Sequence, residues 1–430
     1  MNERRWLTLI FVLYFLLAFG YSLLMPVWEA PDEPAHYHVA WYLARAHRYP
    51  TEKMNYEAKQ PRTFYYLGAW VLRGLDELNT RYTEYYFPHE YRANIRVPIR
   101  RFDWNDKNYR FMLGVHVLRW INIIFGGLAL WLNWKAFQLI AIHKVELQLT
   151  ALTLTALTPQ YIHITSSVSN DTLGTLAGAS LFYLSMQTLQ DKTNRFMLLY
   201  IPLAVILPFV TKLTVLPVSL ALIIVVLWKS FFKSVQLKWL VISVVFVLVL
   251  AGVFYVLLPE MIRAAIGEIN WRLFSLRKNA LTYNYLVFIS RQIIQTYWGE
   301  VGWLAVGLPG WISVFLPISG FMGAMLSLRS LSRSRNTDPT ARYWVAVWLI
   351  ALLTILVVAR NGLTTGATQG RFLFPAIGAL SLLMAHGWYD ILPERYQHKL
   401  PVFMLLFMLT CNLLLWFTGI IPIYYQPFLD

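Results

Sequence analysis

Four titratable side chains stand close together in the stretch APDEPAHYHVAWYLARAHRYP, residues 30–50: Asp32, Glu33, His36 and His38, directly after the first long apolar segment. A carboxylate at such a boundary can meet both a lipid headgroup and a water-borne partner. As a general base, an ionised Asp32 takes a proton from an acceptor hydroxyl and makes it a better nucleophile as the new bond forms. A structural reading competes with this one. One of the two acids could cap the helix that begins around Pro34, because proline is favoured in the first turn and carboxylates at a helix amino terminus. Capping accounts for one carboxylate and leaves the other, and both histidines, unassigned. His36 and His38 lie about 200° apart around a helix axis, so a regular helix cannot aim both at one ion. With Asp32 or Glu33, one of them could ligate a divalent cation such as Mg or Mn.

Further charges recur at the ends of apolar segments. His116 and Arg119 fall inside the second segment, where a charge is expensive and faces a polar cavity or an anion. Arg119 therefore has three readings: an anion ligand, a salt bridge to Asp32, Glu33 or Asp171, or a side chain reaching the interface. Asp171, in TPQYIHITSSVSNDTLG, is either a second acid of the site or the cap of the helix that follows. Lys212 sits in a short turn, and Arg360 and Arg371 flank RNGLTTGATQGR. Arg360 can anchor its helix end at the interface. Arg371 opens a helix, where a cation opposes the dipole unless an anion docks on it.

These residues must be positioned by membrane helices. Of the 430 residues, 57% are hydrophobic and only 14% charged, too apolar for a soluble protein of this size. The single cysteine, Cys411, excludes a disulfide framework and a cysteine-rich metal site. The net charge of +15 is spread over short connections between apolar runs, which speaks for orientation in a bilayer and against nucleic acid. A bilayer core of ~30 Å takes about 20 apolar residues per helix. On that measure spans are expected at Trp6–Trp28, Phe111–Trp134, Leu147–Thr165, Thr172–Leu189, Phe196–Val210 and Leu213–Trp228. Others are expected at Trp239–Leu258, Val301–Leu326, Trp344–Ala359, Phe372–Tyr389 and Leu400–Tyr424, about 11 in all. The fifth and sixth, interrupted by Pro202, Pro208, Lys212 and Pro217, could instead be one broken helix with a re-entrant piece. Trp6–Trp28 is too long for a signal segment and lacks a small-residue cleavage site, so it reads as a retained anchor.

With the amino terminus in the cytoplasm, the inner loops carry 15 Lys and Arg against three in the short outer loops, as the positive-inside rule requires. The carboxy terminus is then extracytoplasmic. Two long loops, 29–110 and 259–300, also face outward. The first is too long for a passive connector. Helices are expected in it at Pro34–Ala46 and Phe64–Leu78, the latter with an apolar face of Leu67, Val71 and Leu75 suited to the membrane surface. Tyr82, Tyr85, Tyr86 and Phe87 suit headgroup depth. No separate soluble domain is expected, so residues 1–430 read as one transmembrane domain. The candidates gather on one side, outlining an outward-facing cavity with a carboxylate base and a phosphate-binding wall. Neither a Walker motif nor a ladder of charges through the span centres is present.

The runs PDEPAHYHVAWYLA, QPRTFYYLGAWVL, SVSNDTLG, YWGEVGW and QGRFLFPAI, in this order, resemble an uncharacterised bacterial multi-pass family grouped with the GT-C glycosyltransferases. That superfamily includes protein mannosyltransferases and lipid A aminoarabinose transferases. The resemblance implies an all-α polytopic GT-C-like fold in the bacterial plasma membrane, a polyprenyl-phosphate-linked sugar as donor, and a lipid, polymer or protein as acceptor. It implies an essential acid in the first outer loop, Asp32 or Glu33, and a further one at Asp171. Arg371 is the best match for the donor phosphate ligand, with Arg119, Lys212, Arg62 and Arg360 behind it. His36, His38, Gln60, Tyr65, Trp298, Glu300 and Gln369 are the candidates for substrate contact. Trp298, Glu300 and Trp303 of YWGEVGW suit a sugar ring or, equally, an aromatic belt at the interface. Arg62 stands where a second proline is expected in QPR, adding a phosphate ligand or marking a different acceptor. The expected reaction is an inverting sugar transfer with Asp32 as base. Two alternatives remain: a flippase or exporter of lipid-linked glycans, and a polymerase or ligase using a pyrophosphate-linked donor.

Overall fold

The computed structural model describes residues 3–75, 109–190, 199–232, 259–334, 340–366 and 368–425, with five isolated positions between 245 and 252. The span expected at Trp239–Leu258 lies largely outside the described residues, as do Tyr82, Tyr85, Tyr86 and Phe87. The protein is an all-α polytopic membrane protein. Among the described residues, seven helical segments are long and apolar enough to cross a bilayer: Glu3–Leu24, Met112–Ile140, Leu213–Ser230, Gly310–Arg329, Ala341–Thr365, Gly370–Ile391 and Glu394–Tyr424. Two shorter apolar helices, Val145–Leu157 and Tyr200–Val210, accompany them.

Prolines account for the shorter pieces. The span expected at Leu147–Thr165 is two helices, α5 (Val145–Leu157) and α6 (Pro159–Thr165). Pro159 offers no N–H and pushes Thr158 into an extended conformation, φ −61° and ψ 118°. Residues 200–232 likewise form α8 (Tyr200–Val210) and α9 (Leu216–Phe232) around an extended Lys212, φ −161°, and a short 3-10 turn, Leu213–Val215. The break presents Lys212 from a helix end.

Helix α1 (Glu3–Leu24) stops just before Pro26, and the chain turns at Trp28 and Asp32, both with positive φ, into α2 (Glu33–Ala46). Helix α3 (Thr63–Gly74) returns against α2, joined by the 3-10 turn Tyr56–Lys59. Gly68 lets the two helices touch, since a Cβ there would lie 2.9 Å from Cβ of Ala40. The inward face of α3 is Phe64, Tyr65, Gly68, Ala69 and Leu72. The row Leu67, Val71 and Leu75, expected as an apolar face suited to the membrane surface, is half-buried and lies beside that inward face. These loop helices share a small core with the start of α4 (Tyr109–Ile140): Tyr37, Val39, Phe64, Tyr65, Met112, Val115 and Leu118.

A larger core binds the membrane helices, with α4 against α7 (Asp171–Thr188) and α5 against the helix Ile377–Ile391. The second long loop holds α10 (Pro259–Phe274) and α11 (Tyr283–Trp298), followed by a two-residue hairpin pairing Glu300–Val301 with Val306–Gly307. Helix α12 (Gly310–Ser334) follows, and then α13 (Ala341–Thr365), which ends on Gly366, whose φ of 72° suits a left-handed helix stop.

Candidate active site

Asp32 occupies the position before α2 with φ 62°, and its side chain makes no capping bond. Asp tolerates that left-handed conformation better than most residues. The capping role expected for one of the two acids is therefore not what the geometry shows. Asp32 instead pairs with the Arg371 guanidinium, and its Oδ1 accepts from the Tyr56 hydroxyl at 2.9 Å. Burial raises the Asp32 carboxyl, but the charge of Arg371 and the bonds from Arg371 and Tyr56 help hold it below the ordinary carboxylate range.

Arg371 follows Gly370 in a 3-10 turn, Gly370–Ala376, that opens the span running to Ile391. Gly370 is required here: a Cβ would lie 2.3 Å from the Tyr297 backbone nitrogen. The glycine N–H donates to Oγ1 of Thr296 at 2.6 Å, which pins the turn to α11. The unfavourable dipole position of Arg371 is offset by two acids, Asp32 and Asp171, the latter 3.5 Å from Nη1. Its Nε–H is buried with no hydrogen-bond partner among the described residues. Asp171 is the first residue of α7, preceded by Asn170. It pairs with Lys212 at 2.6 Å, and Lys212 also donates to Oδ1 of Asn170 at 2.8 Å.

Asp32, Lys212 and Arg371 line a cavity of about 860 Å³, together with His36, Glu57, Lys59, Gln60, Arg360 and Asn361. Its other walls are apolar: Val205 and Phe209 of α8, Leu220 and Ile223 of α9, Leu353, Leu356 and Val357 of α13. Glu268 of α10 lies at the same cavity and pairs with Lys59 at 3.9 Å. The cavity thus joins a charged end to a long greasy flank.

Glu33 and Arg119 form a separate centre. Glu33 takes the Arg119 Nε–H at 2.7 Å and the Val168 N–H at 2.9 Å on Oε1. On Oε2 it takes Nη2 of Arg119 at 2.6 Å and the Trp28 N–H at 3.1 Å. The remaining Arg119 bonds go to the carbonyls of Ser22, Met25 and Pro26, groups left over where α1 ends. All five guanidinium donors are used, as are all four carboxylate acceptor sites. Neither residue lines the cavity. The expectation that Glu33 supports catalysis and Arg119 binds phosphate meets a pair fully committed to the turn between α1 and α2.

The other expected residues divide likewise. His36 is buried beside the cavity, its Nδ1 2.8 Å from the Tyr65 hydroxyl, and burial pushes it down to about 3. Nδ1 of His38 meets Nδ2 of Asn55 at 3.1 Å, away from the cavity lining. Arg62 stacks over the Tyr49 ring at 4.4 Å, outside the lining. Arg360 donates to the Ser275 carbonyl at 2.9 Å. Trp298 is buried edge-on against Tyr297, Glu300 sits in the hairpin with burial raising its carboxyl, and Trp303 donates to the Trp28 carbonyl at 2.8 Å. Oε1 of Gln369 is buried without a partner among the described residues. The set expected around a cation is split, with Asp32 on Arg371, Glu33 on Arg119 and His36 on Tyr65. Among the described residues, no group of three or more His, Cys, Asp or Glu is placed to hold a metal ion. Tyr56, Glu57, Lys59 and Glu268 were not expected at the site; only the folded loop brings them to Asp32.

No family model matches the chain, and no curated protein matches it. Among solved structures, ArnT from Cupriavidus metallidurans in the apo state is similar over 99% of this chain and 75% of its own, with 13% identity and a TM-score of 0.53. The same enzyme bound to undecaprenyl phosphate matches over 97% and 74%, with 13% identity and a TM-score of 0.49. The oligosaccharyltransferase of Archaeoglobus fulgidus tethered with an acceptor peptide matches over 98% and 55%, with 13% identity and a TM-score of 0.45. The apo ArnT match shows the fold: the chain has the architecture of ArnT, in keeping with the resemblance of its motifs.

Proposed function

We propose that the protein is a membrane glycosyltransferase that moves a sugar from a polyprenyl-phosphate donor to an acceptor hydroxyl, with Asp32 as general base. One observation carries this reading. A single cavity combines a carboxylate, Arg371 with an unpartnered buried Nε–H, Lys212, and an apolar flank from three membrane helices. An arginine and a lysine suit a phosphate, and the flank suits an isoprenoid chain. The GT-C fold and the undecaprenyl phosphate bound to ArnT support a lipid-linked donor.

The chemistry follows from the ion pairs. With no ligand, Asp32 is neutralised by Arg371 and is a weak base. An arriving phosphate competes for that guanidinium and for Lys212, freeing Asp32 and raising its basicity only when the donor is in place. Asp32 then takes the acceptor's proton as the acceptor oxygen attacks the anomeric carbon. The bond from that carbon to the phosphate oxygen breaks, its electron pair goes to the phosphate, and Arg371 with Lys212 stabilises the new charge. Attack opposite the leaving phosphate inverts the sugar. The excess of Lys and Arg in the other set of short loops supports placing the cavity on the extracytoplasmic side.

The test is transfer by purified protein from undecaprenyl-phosphate sugars to envelope acceptors, comparing wild type with Arg371→Ala. Weaker use of the donor is expected in the variant. Equal affinity for undecaprenyl phosphate in both proteins would remove Arg371 from the reading.

A further inference from the structure

The 3-10 turn Tyr56–Lys59 brings to the cavity a carboxyl, one oxygen of which has no hydrogen-bond partner among the described residues. Glu57 is 7% exposed and lines the cavity, yet its Oε2 is buried without a hydrogen-bond partner. Leaving a buried polar atom unbonded is costly unless a ligand completes it. The nearest basic side chain is His36 of α2, which burial keeps neutral; its Nδ1 is 3.8 Å from Oε2 and closer, at 2.8 Å, to the Tyr65 hydroxyl of α3. The Tyr56 hydroxyl is given to Asp32, and Lys59 pairs with Glu268 of α10. Lys212 serves Asp171 and Asn170, and Arg371 serves Asp32 and Asp171. These groups are engaged elsewhere apart from the buried Arg371 Nε–H, and none of them is hydrogen-bonded to Oε2 of Glu57.

The chemistry of the missing partner can be narrowed. Arg371 and Lys212 draw a phosphate to their own end of the cavity, an ionised Glu57 beside Asp32 repels one, and an isoprenoid chain has nothing to offer a carboxyl. Burial and the Asp32 charge push Glu57 up to about 7, so at neutral pH both its forms are accessible, and both hydrogen-bond a hydroxyl. We propose that Glu57 binds the sugar carried on the lipid phosphate, its carboxyl taking a ring hydroxyl while Arg371 and Lys212 hold the phosphate. The inference rests on the donor reading above and adds to it the group that reads the sugar. Removing that group leaves the site's polar partner on the sugar unpaired, which weakens recognition of the sugar and not of the lipid.

The experiment measures binding of undecaprenyl phosphate, and of the same lipid bearing glucose, mannose or N-acetylglucosamine, to wild type, Glu57→Ala and Glu57→Gln in nanodiscs. Wild type is expected to favour at least one sugar-bearing lipid over the bare lipid by about tenfold or more. Glu57→Ala should erase that margin with the bare-lipid affinity unchanged, and Glu57→Gln should keep part of it. Bare-lipid binding doubles as the check that each variant is folded. A margin that survives in Glu57→Ala, or a bare-lipid affinity that falls by the same factor, overturns the assignment. A wild type that binds neither kind of lipid overturns the donor reading itself, and the role of Glu57 with it.

Discussion

Asp32 and Glu33 are neighbours in sequence, and each faces an arginine, yet they belong to opposite kinds of ion pair. Around Glu33 and Arg119, whose side chains are both 0% exposed, every donor and acceptor has a partner. Three of those partners are carbonyls at the end of α1. Around Asp32, whose side chain is 24% exposed, the network is open: Arg371 keeps an unused Nε–H, Asn170 keeps an unused amide, and the cavity begins. A closed network can only hold the fold in place. An open one has something left to give a ligand. One peptide unit separates the two because the left-handed Asp32 reverses the chain before α2.

Mutations should separate the two pairs by what they damage. The largest loss is expected from Arg119→Met, which leaves Glu33 charged and unpaired in the interior. That should cost about 3–5 kcal/mol of stability, read as a large fall in melting temperature, with whatever protein stays folded still binding lipid phosphate. A melting temperature within a degree or two of wild type would show that the closed pair is not structural. Asp32→Asn should do the reverse. Asparagine also accepts the left-handed conformation, so the melting temperature should hold while turnover falls by about a thousandfold, in the range for losing a general base.

Arg371→Lys keeps the charge but loses the planar fork, and affinity for undecaprenyl phosphate should fall by about tenfold. An unchanged affinity would move the phosphate to Lys212 alone. The smallest effect is expected from Tyr56→Phe. The Tyr56 hydroxyl helps hold the Asp32 carboxyl down, so its removal should raise that pKa. Activity that depends on ionised Asp32 should then fade at a higher pH on the acid side than in wild type. An acid limb that stays in place would mean that Asp32 is not the group titrating there.

Much of the membrane layout was legible in the sequence because apolar length and proline position are local properties. Leu213–Trp228 was expected and Leu213–Ser230 is observed; Pro159 split a segment that length alone read as whole. Asp32, Asp171, Lys212 and Arg371 stood out as charges at helix mouths, and the fold gathers them at one place. Their pairing was not legible, since Asp32 and Arg371 are 339 residues apart and nothing local links them. Glu33 and Arg119 looked equally promising for the same reason: a sequence shows a buried charge but not whether its bonds are complete. Glu57 escaped notice because YEAK reads as an ordinary solvated turn until α2 and α3 fold over it.

The most direct measurement is mass spectrometry of envelope glycolipids and polymers from cells lacking the protein, complemented with wild type or with Asp32→Asn at equal expression. Wild type is expected to restore a glycan decoration and Asp32→Asn is not, the mass difference giving the sugar class. Restoration by both would contradict it, leaving Asp32 a structural partner of Arg371 and the cavity without its base.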